Sequence, residues 1–333
     1  MRYCILGAGG LGSVIGGYLA QAGEEVTLIG RPAHMDAIKA NGLKISGCRG
    51  EHHVSKNLIP VTSPDAAEGD FDYLILLVKG KDTETALAAA DRLKVRCAAV
   101  CSLQNGIGKE TRLQTWAGAD KVIGASTIEG GTLFGPGDVG NPITADTTAY
   151  FGELAGGITP RIEAITDAFN RAGLGARSVE DIMQVLWEKL VQIGTASGYS
   201  VSALGLRLLM QQGMMVREGA EHYVALAKDL LKVYTALGYT PENFFAPMSR
   251  NKELHELSFD QATEFVMQMG QRLHAQGLKG RTSMHEDVVR ERKTEVDQIL
   301  KPFIDKAAEL GLEIPVAHTV YRIIKTQDEY LNP

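Results

Sequence analysis

A glycine-rich turn near the start of the chain limits the fold more than any other feature. The segment "ILGAGGLGSVIGGYLAQAGEEVTLIGR" carries a G-x-G-x-x-G pattern between an apolar run and a helical segment. The first glycine permits a tight turn, the second lets a pyrophosphate approach the backbone, and the third lets helix pack on strand. Because a second apolar run follows within about thirty residues, the pattern predicts a β-α-β dinucleotide-binding unit rather than a turn without a ligand. The predicted cofactor-binding residues of the turn are Gly7, Gly9, Gly10, Leu11 and Gly12.

The residues that follow the second apolar run indicate whether the site binds NAD(H) or NADP(H). An NAD-specific site carries Asp or Glu there, where the carboxylate binds the ribose 2′-hydroxyl. This chain has Gly30 and then Arg31, while Glu24 and Glu25 precede the run at its opposite end. A guanidinium can pair with a 2′-phosphate, so Arg31 predicts NADP(H) as the cofactor. The alternative is that Arg31 is a solvated loop residue.

The first half of the chain alternates short apolar runs with helical segments. Strands of this kind, separated by helices, predict a parallel sheet that is covered on both faces. Residues 132–154, "TLFGPGDVGNPITADTTAYFGEL", contain turn residues and short β-like pieces, which predict extra strands at the sheet edge. The apolar runs are residues 3–6, 26–29, 73–78, 98–103 and 122–125.

The second half changes to long segments in which apolar residues recur with helical spacing. A chain of 333 residues is also long for one core. We therefore predict an α/β fold with an N-terminal Rossmann dinucleotide-binding domain, residues 1–179, followed by an all-α C-terminal domain, residues 180–333. The helical segments are "SVEDIMQVLWEKLVQI", "VREGAEHYVALAKDLLKVYTALG", "FDQATEFVMQMGQRLHAQG" and "HEDVVRERKTEVDQILKPFIDKAAELG".

Charge and composition exclude several classes of function. The net charge is −6 without a dense Lys or Arg run, which argues against nucleic-acid and membrane-surface partners. The strand-like "YCIL" near the first residue leaves no room for a signal peptide, so we expect a cytoplasmic protein. The four cysteines lack metal-ligand spacing and are interpreted as buried reduced thiols, and no metal site is predicted. The apolar face of "FVMQMGQRLHA" fits either a core or a homodimer seam.

Two lysines are candidates for the chemistry. Lys79 ends the run "YLILLVKGKD", at the carboxyl end of a strand, where doubly wound sheets bind ligands; a solvated cap is the alternative. On a helical projection Lys189 lies between Ile182 and Val185 on the apolar side, so it is snorkelling, paired or functional. Burial lowers the pKa of a lysine, and such a lysine suits the protonation of a carbonyl oxygen. The polar stripe of this helix comprises Asp181, Gln184, Glu188 and Gln192.

Glu295 is the candidate carboxylate. Projected on a helix, it lies beside Val288 and Ile299 at the edge of the apolar stripe. This position predicts that it orients the lysine or a substrate, whereas the alternative is a local surface pair with Arg292. The polar face of the projected helix comprises Glu291, Thr294 and Gln298.

Several segments together resemble the ketopantoate reductase (2-dehydropantoate 2-reductase) family over nearly the whole chain. The resemblance implies a two-domain NADPH enzyme with a Rossmann domain and a helical domain. It also implies reduction of a 2-oxo acid to a 2-hydroxy acid, namely 2-dehydropantoate to pantoate in pantothenate biosynthesis. In order, the segments are the glycine turn with Arg31, "LVKGKDTE", "SLQNGIGKE", "STIEGGTLFGPGDV", "WEKL", "TSMHEDV", "KTEVD" and "LGLEIPVAHTVYRIIK".

The resemblance also implies roles for individual residues. Lys189 of "WEKL" falls on the family's catalytic lysine, proposed to protonate the carbonyl oxygen as hydride arrives. Glu295 of "KTEVD" falls on the acidic residue near the reacting centre, and Ser283 of "TSM" on a substrate-contacting serine. Lys79 and Asn105 match positions at the nicotinamide end of the cleft, where cofactor and substrate meet.

The departures from the family pattern concern the substrate. The family usually places two asparagines after the catalytic lysine, where this chain has Ile193 and Ser197, and a third where it has Gly280. Ser197 stays a substrate-contact candidate. Amides of this kind discriminate strongly between substrates. The chain therefore keeps the family's catalytic residues but differs at residues that determine substrate specificity. The segment around "APMSRNKELHELSFD" also looks longer than the family norm. The alternatives are a reductase of another small carbonyl acid, an enzyme of the broader group that acts on a hydroxy acid in the oxidative direction, and a non-catalytic NADP(H) sensor.

Overall fold

The computed structural model describes residues 1–143, 145–277 and 281–331 and divides the chain into two compact units, Met1–Leu186 and Trp187–Pro333. We call them the N-terminal and C-terminal units. The N-terminal unit holds β1 (Arg2–Leu6), α1 (Gly10–Gln21), β2 (Glu25–Ile29), α2 (Pro32–Asn41), β3 (Leu43–Gly47), β4 (His52–Val54), β5 (Leu58–Val61), β6 (Phe71–Leu76), α3 (Thr83–Ala89), β7 (Cys97–Ser102), α4 (Lys109–Ala117), β8 (Ile123–Thr127), β9 (Thr132–Gly135), β10 (Asp138–Asn141), β11 (Ala149–Glu153), α5 (Pro160–Arg171) and β12 (Ala176–Ser178).

The central sheet of the N-terminal unit is parallel, with strand order β5-β2-β1-β6-β7. Chain order runs one way from β1 to β2 and the other way from β1 to β6, so the connections switch sides at β1. In register, Leu6 at the end of β1 pairs with Ile29 of β2 and with Leu76 of β6. The turns that follow these strands therefore meet at one edge, which is where doubly wound sheets bind their ligands.

Both faces of this sheet are covered, as the sequence predicts. Along β1, Tyr3 and Ile5 enter one apolar cluster with α1 and α5, whereas Cys4 and Leu6 enter another with residues of α3 and α4. Burial raises the pKa of the Cys97 and Cys101 thiols to about 12, in keeping with inert structural thiols. The interpretation of all the cysteines as buried is wrong for Cys48, which is exposed.

Residues 132–154 form strands, but these strands do not extend the edge of the central sheet. β9 and β10 join β3 and β4 in a second sheet, and β11 pairs with β8 and β12 in a third. The reason is α1, which has apolar residues around most of its surface. Its side chains share one cluster with Leu28 of the central sheet and with Ile45 and Val139 of the second sheet. The helix after the glycine turn is thus packed between two sheets.

In the C-terminal unit the described elements are helices, as predicted. The segment "FVMQMGQRLHA", whose apolar face fits either a core or a homodimer seam, belongs to α10 (Phe259–Ala275). This helix packs against α7 (Met210–Met214) and α8 (Arg217–Ala236) of its own unit. The helices are α6 (Ile182–Ala203, which begins in the N-terminal unit), α7 (Met210–Met214), α8 (Arg217–Ala236), α9 (Asn251–Glu256), α10 (Phe259–Ala275), α11 (Ser283–Val289), α12 (Val296–Ile299), α13 (Lys301–Leu310) and α14 (Pro315–Leu331).

The helical projection through Glu295 is wrong. α11 ends at Val289, α12 begins at Val296, and Glu291 between them has a φ of 53°, outside the helical region. Residues 290–295, "RERKTE", contain no apolar side chain to pack, so this stretch lacks the burial that stabilises most helices in proteins. Thr294, which the projection put on the polar face, is buried.

Candidate active site

The glycine turn connects β1 to α1 with little space around it. Gly7 has a φ of 114°, and a Cβ on it would lie 2.4 Å from the amide nitrogen of Val78. A Cβ on Gly12 would lie 2.4 Å from the carbonyl oxygen of Gly7. Both distances are shorter than packed atoms tolerate. The first and third glycines are therefore required by the protein's own packing, as the pattern predicts.

The second glycine faces open space. A Cβ on Gly9 would meet no heavy atom within 4 Å, and Gly9 is exposed at the N-terminus of α1. Gly10 and Leu11 form the first turn of this helix, and Gly10 packs directly on the backbone of Gly131. The N-terminal N–H groups of a helix attract phosphate. The open backbone at this helix start has room for the pyrophosphate that the sequence predicts here.

A pair of alanine substitutions separates the two kinds of glycine. We expect Gly9→Ala to leave the free energy of unfolding unchanged but to weaken NADPH binding about 10- to 100-fold, because an inserted methyl group that must be accommodated costs about 1–3 kcal/mol. Gly12→Ala is the contrasting variant, with an expected loss of about 3 kcal/mol or more in unfolding free energy. Denaturant unfolding and NADPH titration measure both. Unchanged NADPH affinity in folded Gly9→Ala protein would contradict pyrophosphate binding at this helix start.

Arg31 lies where the sequence predicts the 2′-phosphate contact. It is exposed, follows the end of β2 and occupies the N-cap position of α2. Within the described part of the chain its guanidinium makes no hydrogen bond or ion pair. Glu24 is at the opposite end of β2 and binds the N-terminal amine and Arg171. Burial acts to raise the pKa of Glu24, but these hydrogen bonds outweigh it and lower the pKa.

His34 connects Arg31's helix to the glycine turn and was missed by sequence reasoning. The backbone N–H of Gly137 donates to Nδ1 of His34, 2.9 Å away, so Nε2 carries the proton and donates to Ser13 Oγ at 2.9 Å. Burial lowers the pKa of His34, which favours this neutral form. Because Ser13 is in the first turns of α1, the starts of α1 and α2 are held together. One histidine in a helix carries no pattern that could have revealed this contact.

Lys79 and Asn105 are exposed in the loops that follow β6 and β7. Gln104 ties these loops together: its amide nitrogen donates to the carbonyl oxygen of Val78 at 2.7 Å and to Thr83 Oγ1 at 2.9 Å. The structure thus brings both predicted residues to the sheet edge that carries the glycine turn. Gln104 stands in the quoted "QNG" motif, but its clamping role depends on residues 26 positions away.

Lys189 is buried on α6, with 7% of its surface exposed. The sequence predicts this burial from its place on the apolar side. Ile193 and Ser197 follow at one-turn intervals on the same face, half-buried and buried respectively. The face with Gly194 and Gly198 packs against Leu230, Leu226 and Leu300 instead.

Glu188, one residue before Lys189, belongs to the polar stripe of α6 and is nevertheless 1% exposed. Its carboxylate accepts from the backbone N–H of Glu242 at 2.8 Å, the N–H of Phe244 at 3.2 Å and the hydroxyl of Tyr234 at 3.2 Å. Burial raises the pKa of Glu188, although these hydrogen bonds partly oppose the shift. Asn251 donates to its carbonyl oxygen at 3.0 Å. Glu188 therefore anchors residues 242–251 to the helix turn that carries Lys189.

We expect Glu188→Gln to lower the free energy of unfolding by about 2 kcal/mol. A glutamine offers one acceptor oxygen where the carboxylate offers two, which leaves the N–H of Glu242 or Phe244 buried without its partner. Glu242→Gln is the matched control, since its side chain is exposed and its backbone N–H is unchanged. Denaturant unfolding measures both variants, and equal midpoints for wild type and Glu188→Gln would contradict the anchoring role.

Ser283 and Glu295 lie at the starts of two short helices in the C-terminal unit. Ser283 is exposed, whereas the next two residues, Met284 and His285, are buried. His285 Nε2 is 2.6 Å from the carbonyl oxygen of Gly205. Glu295 is half-buried and occupies the N-cap position of α12. Gly280, the third position where the family has an amide, lies outside the described residues.

Neither a metal site nor a membrane-spanning helix is found in the part of the chain that the structure describes. Across residues 1–143, 145–277 and 281–331 there is no group of three or more His, Cys, Asp or Glu side chains that could hold a metal ion. In the same described ranges, no helix has the length and apolar character needed to cross a bilayer.

Family models and known relatives match this chain over most of its length. A family model described as "Ketopantoate reductase PanE/ApbA" matches residues 3–156, and its C-terminal counterpart matches residues 181–328. A 2-dehydropantoate 2-reductase of Pyrococcus horikoshii is 31% identical over 333 residues, covering 98% of both chains. One of Pyrococcus abyssi is 30% identical, again over 98% of both.

Solved structures share the fold. The PanE/ApbA family ketopantoate reductase of Ralstonia eutropha covers 100% of both chains with a TM-score of 0.77 and 22% identity. A D-mandelate dehydrogenase solved with NADH and anilino(oxo)acetate has the same coverage and TM-score at 21% identity. The chain therefore belongs to the ketopantoate reductase family, whose members are NADP-dependent oxidoreductases acting on CH–OH groups.

Proposed function

We propose that this protein reduces a 2-oxo acid to the 2-hydroxy acid with NADPH, and that 2-dehydropantoate is the substrate. The observation that carries the proposal is Lys189, a buried lysine on α6 at the family's catalytic position. The proposal assigns NADP(H) binding to residues 1–179 and substrate binding and catalysis to residues 180–333. The net charge of −6 supports a small-molecule partner rather than nucleic acid. A cytoplasmic location is part of the same proposal.

We assign the following roles in catalysis and cofactor binding to residues of this chain. Bound NADPH supplies a hydride to the carbonyl carbon. Lys189 Nζ donates a hydrogen bond to the carbonyl oxygen and then its proton, which yields the hydroxyl group. Arg31 pairs with the 2′-phosphate, while the backbone at Gly9, Gly10 and Leu11 holds the pyrophosphate.

The remaining residues orient the reactants. Lys79 and Asn105 hold the nicotinamide end of the cofactor and the substrate beside it. Ser197 and Ser283 contact the substrate, and Glu295 orients the substrate or the lysine. Each of these assignments follows the family motif and the placement of the residue on its element.

A second candidate is a reductase of another small carbonyl acid. Ile193 favours it, because an apolar, half-buried side chain lies one helical turn from Lys189 where the family usually has an amide. A site without that amide has lost one means of binding a substrate hydroxyl. The catalytic residues would be the same in both candidates.

The test follows NADPH oxidation by absorbance with 2-dehydropantoate and a panel of other 2-oxo acids. Fastest turnover of 2-dehydropantoate supports the first candidate, and fastest turnover of another acid supports the second. Assays with NADP⁺ and hydroxy acids measure the reverse direction. Tight NADPH binding without turnover of any acid would overturn both candidates and favour an NADP(H) sensor.

A further inference from the structure

The backbone next to Glu295 is held by Asp328, a residue near the C-terminal end of the same unit. Asp328 is on α14, with 1% of its surface exposed. Its Oδ1 accepts the backbone N–H of Thr294 at 2.9 Å, and its Oδ2 accepts the Thr294 hydroxyl at 2.8 Å. Thr294 is itself buried and directly precedes Glu295. One buried carboxylate thus binds both donors of the residue before the candidate acid.

The same threonine also fixes the residue after Glu295. Its Oγ1 accepts the backbone N–H of Val296 at 3.2 Å. The carbonyl oxygen of Glu295 accepts the N–H groups of Gln298 and Ile299 at 3.0 and 3.1 Å, which begins α12. The main chain is therefore held on both sides of Glu295, which fixes the point from which its side chain extends.

This anchoring matters because it holds a different part of the segment from the local hydrogen bonds. The backbone N–H groups of Glu291 and Arg292 donate to the carbonyl oxygens of Val288 and Asp287, whereas Thr294 binds the distant Asp328. Residues 290–295 form no regular element, and apolar side chains are absent from them. Hydrogen bonds to a buried charged acceptor are stronger than neutral ones, and losing one partner leaves the other desolvated. The position of Glu295 thus depends on a contact between residues 34 positions apart.

We propose that Asp328 is a positioning residue: acting through Thr294, it sets the place from which Glu295 presents its carboxylate to the reacting centre. The inference rests on the role proposed for Glu295. It goes beyond that role in assigning a function to Thr294 and Asp328, which act through the main chain at Glu295. The competing explanation is that Asp328 only docks α14.

The chain contains a matched control for docking. Asp297 on α12 also binds α14: its Oδ1 accepts the Tyr321 hydroxyl at 2.8 Å and its Oδ2 accepts Lys325 Nζ at 2.9 Å. Asp297→Asn weakens the tie between α12 and α14 and leaves Thr294 untouched. A docking role predicts that Asp297→Asn and Asp328→Asn lose activity in proportion to their loss of stability.

The test compares Thr294→Val, which removes the hydroxyl at nearly constant volume, with Thr294→Ser, which keeps it. We expect kcat for the 2-oxo acid to fall about tenfold or more in Thr294→Val and Asp328→Asn, since small misplacements of catalytic groups cost up to about 10²-fold. Thr294→Ser should retain kcat within about twofold, as should Asp297→Asn. The KM for NADPH should be unchanged in all four variants.

A double-mutant cycle with Glu295→Gln decides between positioning and general stability. If Thr294 acts through Glu295, Thr294→Val should lower kcat in the wild-type background and have little further effect in Glu295→Gln. Equal effects in both backgrounds would overturn the inference, as would full kcat in folded Thr294→Val and Asp328→Asn. Full activity of Glu295→Gln would overturn the role of Glu295 and this inference together. A wild-type protein that turns over no 2-oxo acid would identify the proposed function itself as the failure.

Discussion

Replacing Lys189 by alanine should lower kcat for 2-oxo acid reduction by about 10³-fold, the middle of the range for a general acid that also stabilises developing charge. The reason is that Lys189, which is buried on α6, is the residue to which we assign protonation of the carbonyl oxygen. NADPH affinity should be retained, since the residues predicted to bind its phosphates belong to the N-terminal unit. Steady-state kinetics and NADPH titration of the purified variant measure both quantities.

Lys228 offers a matched control for this experiment. It is a half-buried lysine on α8, where burial lowers its pKa and its Nζ donates to the carbonyl oxygens of Leu254 and Leu257 at 3.0 and 2.8 Å. Lys228→Ala should lower stability and leave kcat within about twofold of wild type, since it removes structural hydrogen bonds only. Comparable kcat losses in Lys228→Ala and Lys189→Ala would contradict a catalytic role for Lys189.

The second large effect concerns the choice of cofactor. Arg31→Ala should raise the KM for NADPH about 10- to 100-fold, because hydrogen bonds to a charged group contribute about 1.5–3 kcal/mol. The KM for NADH should change little, since NADH has no 2′-phosphate for the guanidinium to bind. Initial rates with each cofactor at saturating 2-oxo acid measure the change in preference.

Lys39→Ala controls for a general loss of positive charge. Lys39 is exposed on the last turn of α2, the same helix that Arg31 precedes. We expect NADPH and NADH constants close to wild type in this variant. An equal loss of affinity for both cofactors in Arg31→Ala would mean that the guanidinium does not read the phosphate.

Sequence reasoning succeeded where the determinants are close together in the chain. The glycine turn, the strand before it and Arg31 after β2 lie within one β-α-β unit, and packing around Gly7 and Gly12 is dictated by that unit and its neighbouring strand. The apolar environment of Lys189 was also predictable, because helical spacing places it beside Ile182 and Val185.

It failed where partners come from distant segments. Glu188 shares a helical stripe with polar residues, but its surroundings are set by residues 54 and 56 positions later. Thr294 was projected on one continuous helix, but the chain forms no helix between Val289 and Val296. The hydroxyl of Thr294 binds Asp328, which lies 34 residues later. Periodicity describes one element at a time, so it carries no information about which other element will cover a given face.

The anchoring of residues 242–251 by Glu188 has a consequence for how the length of this chain can change. A deletion that includes Glu242 and Phe244 removes the two backbone N–H groups that donate to the carboxylate. The carboxylate would then remain in the interior without these two donors, a state more costly than an uncharged residue at that position. A shorter segment is therefore tolerated only together with an uncharged residue at position 188. A chimera built with a shorter segment needs that substitution as well.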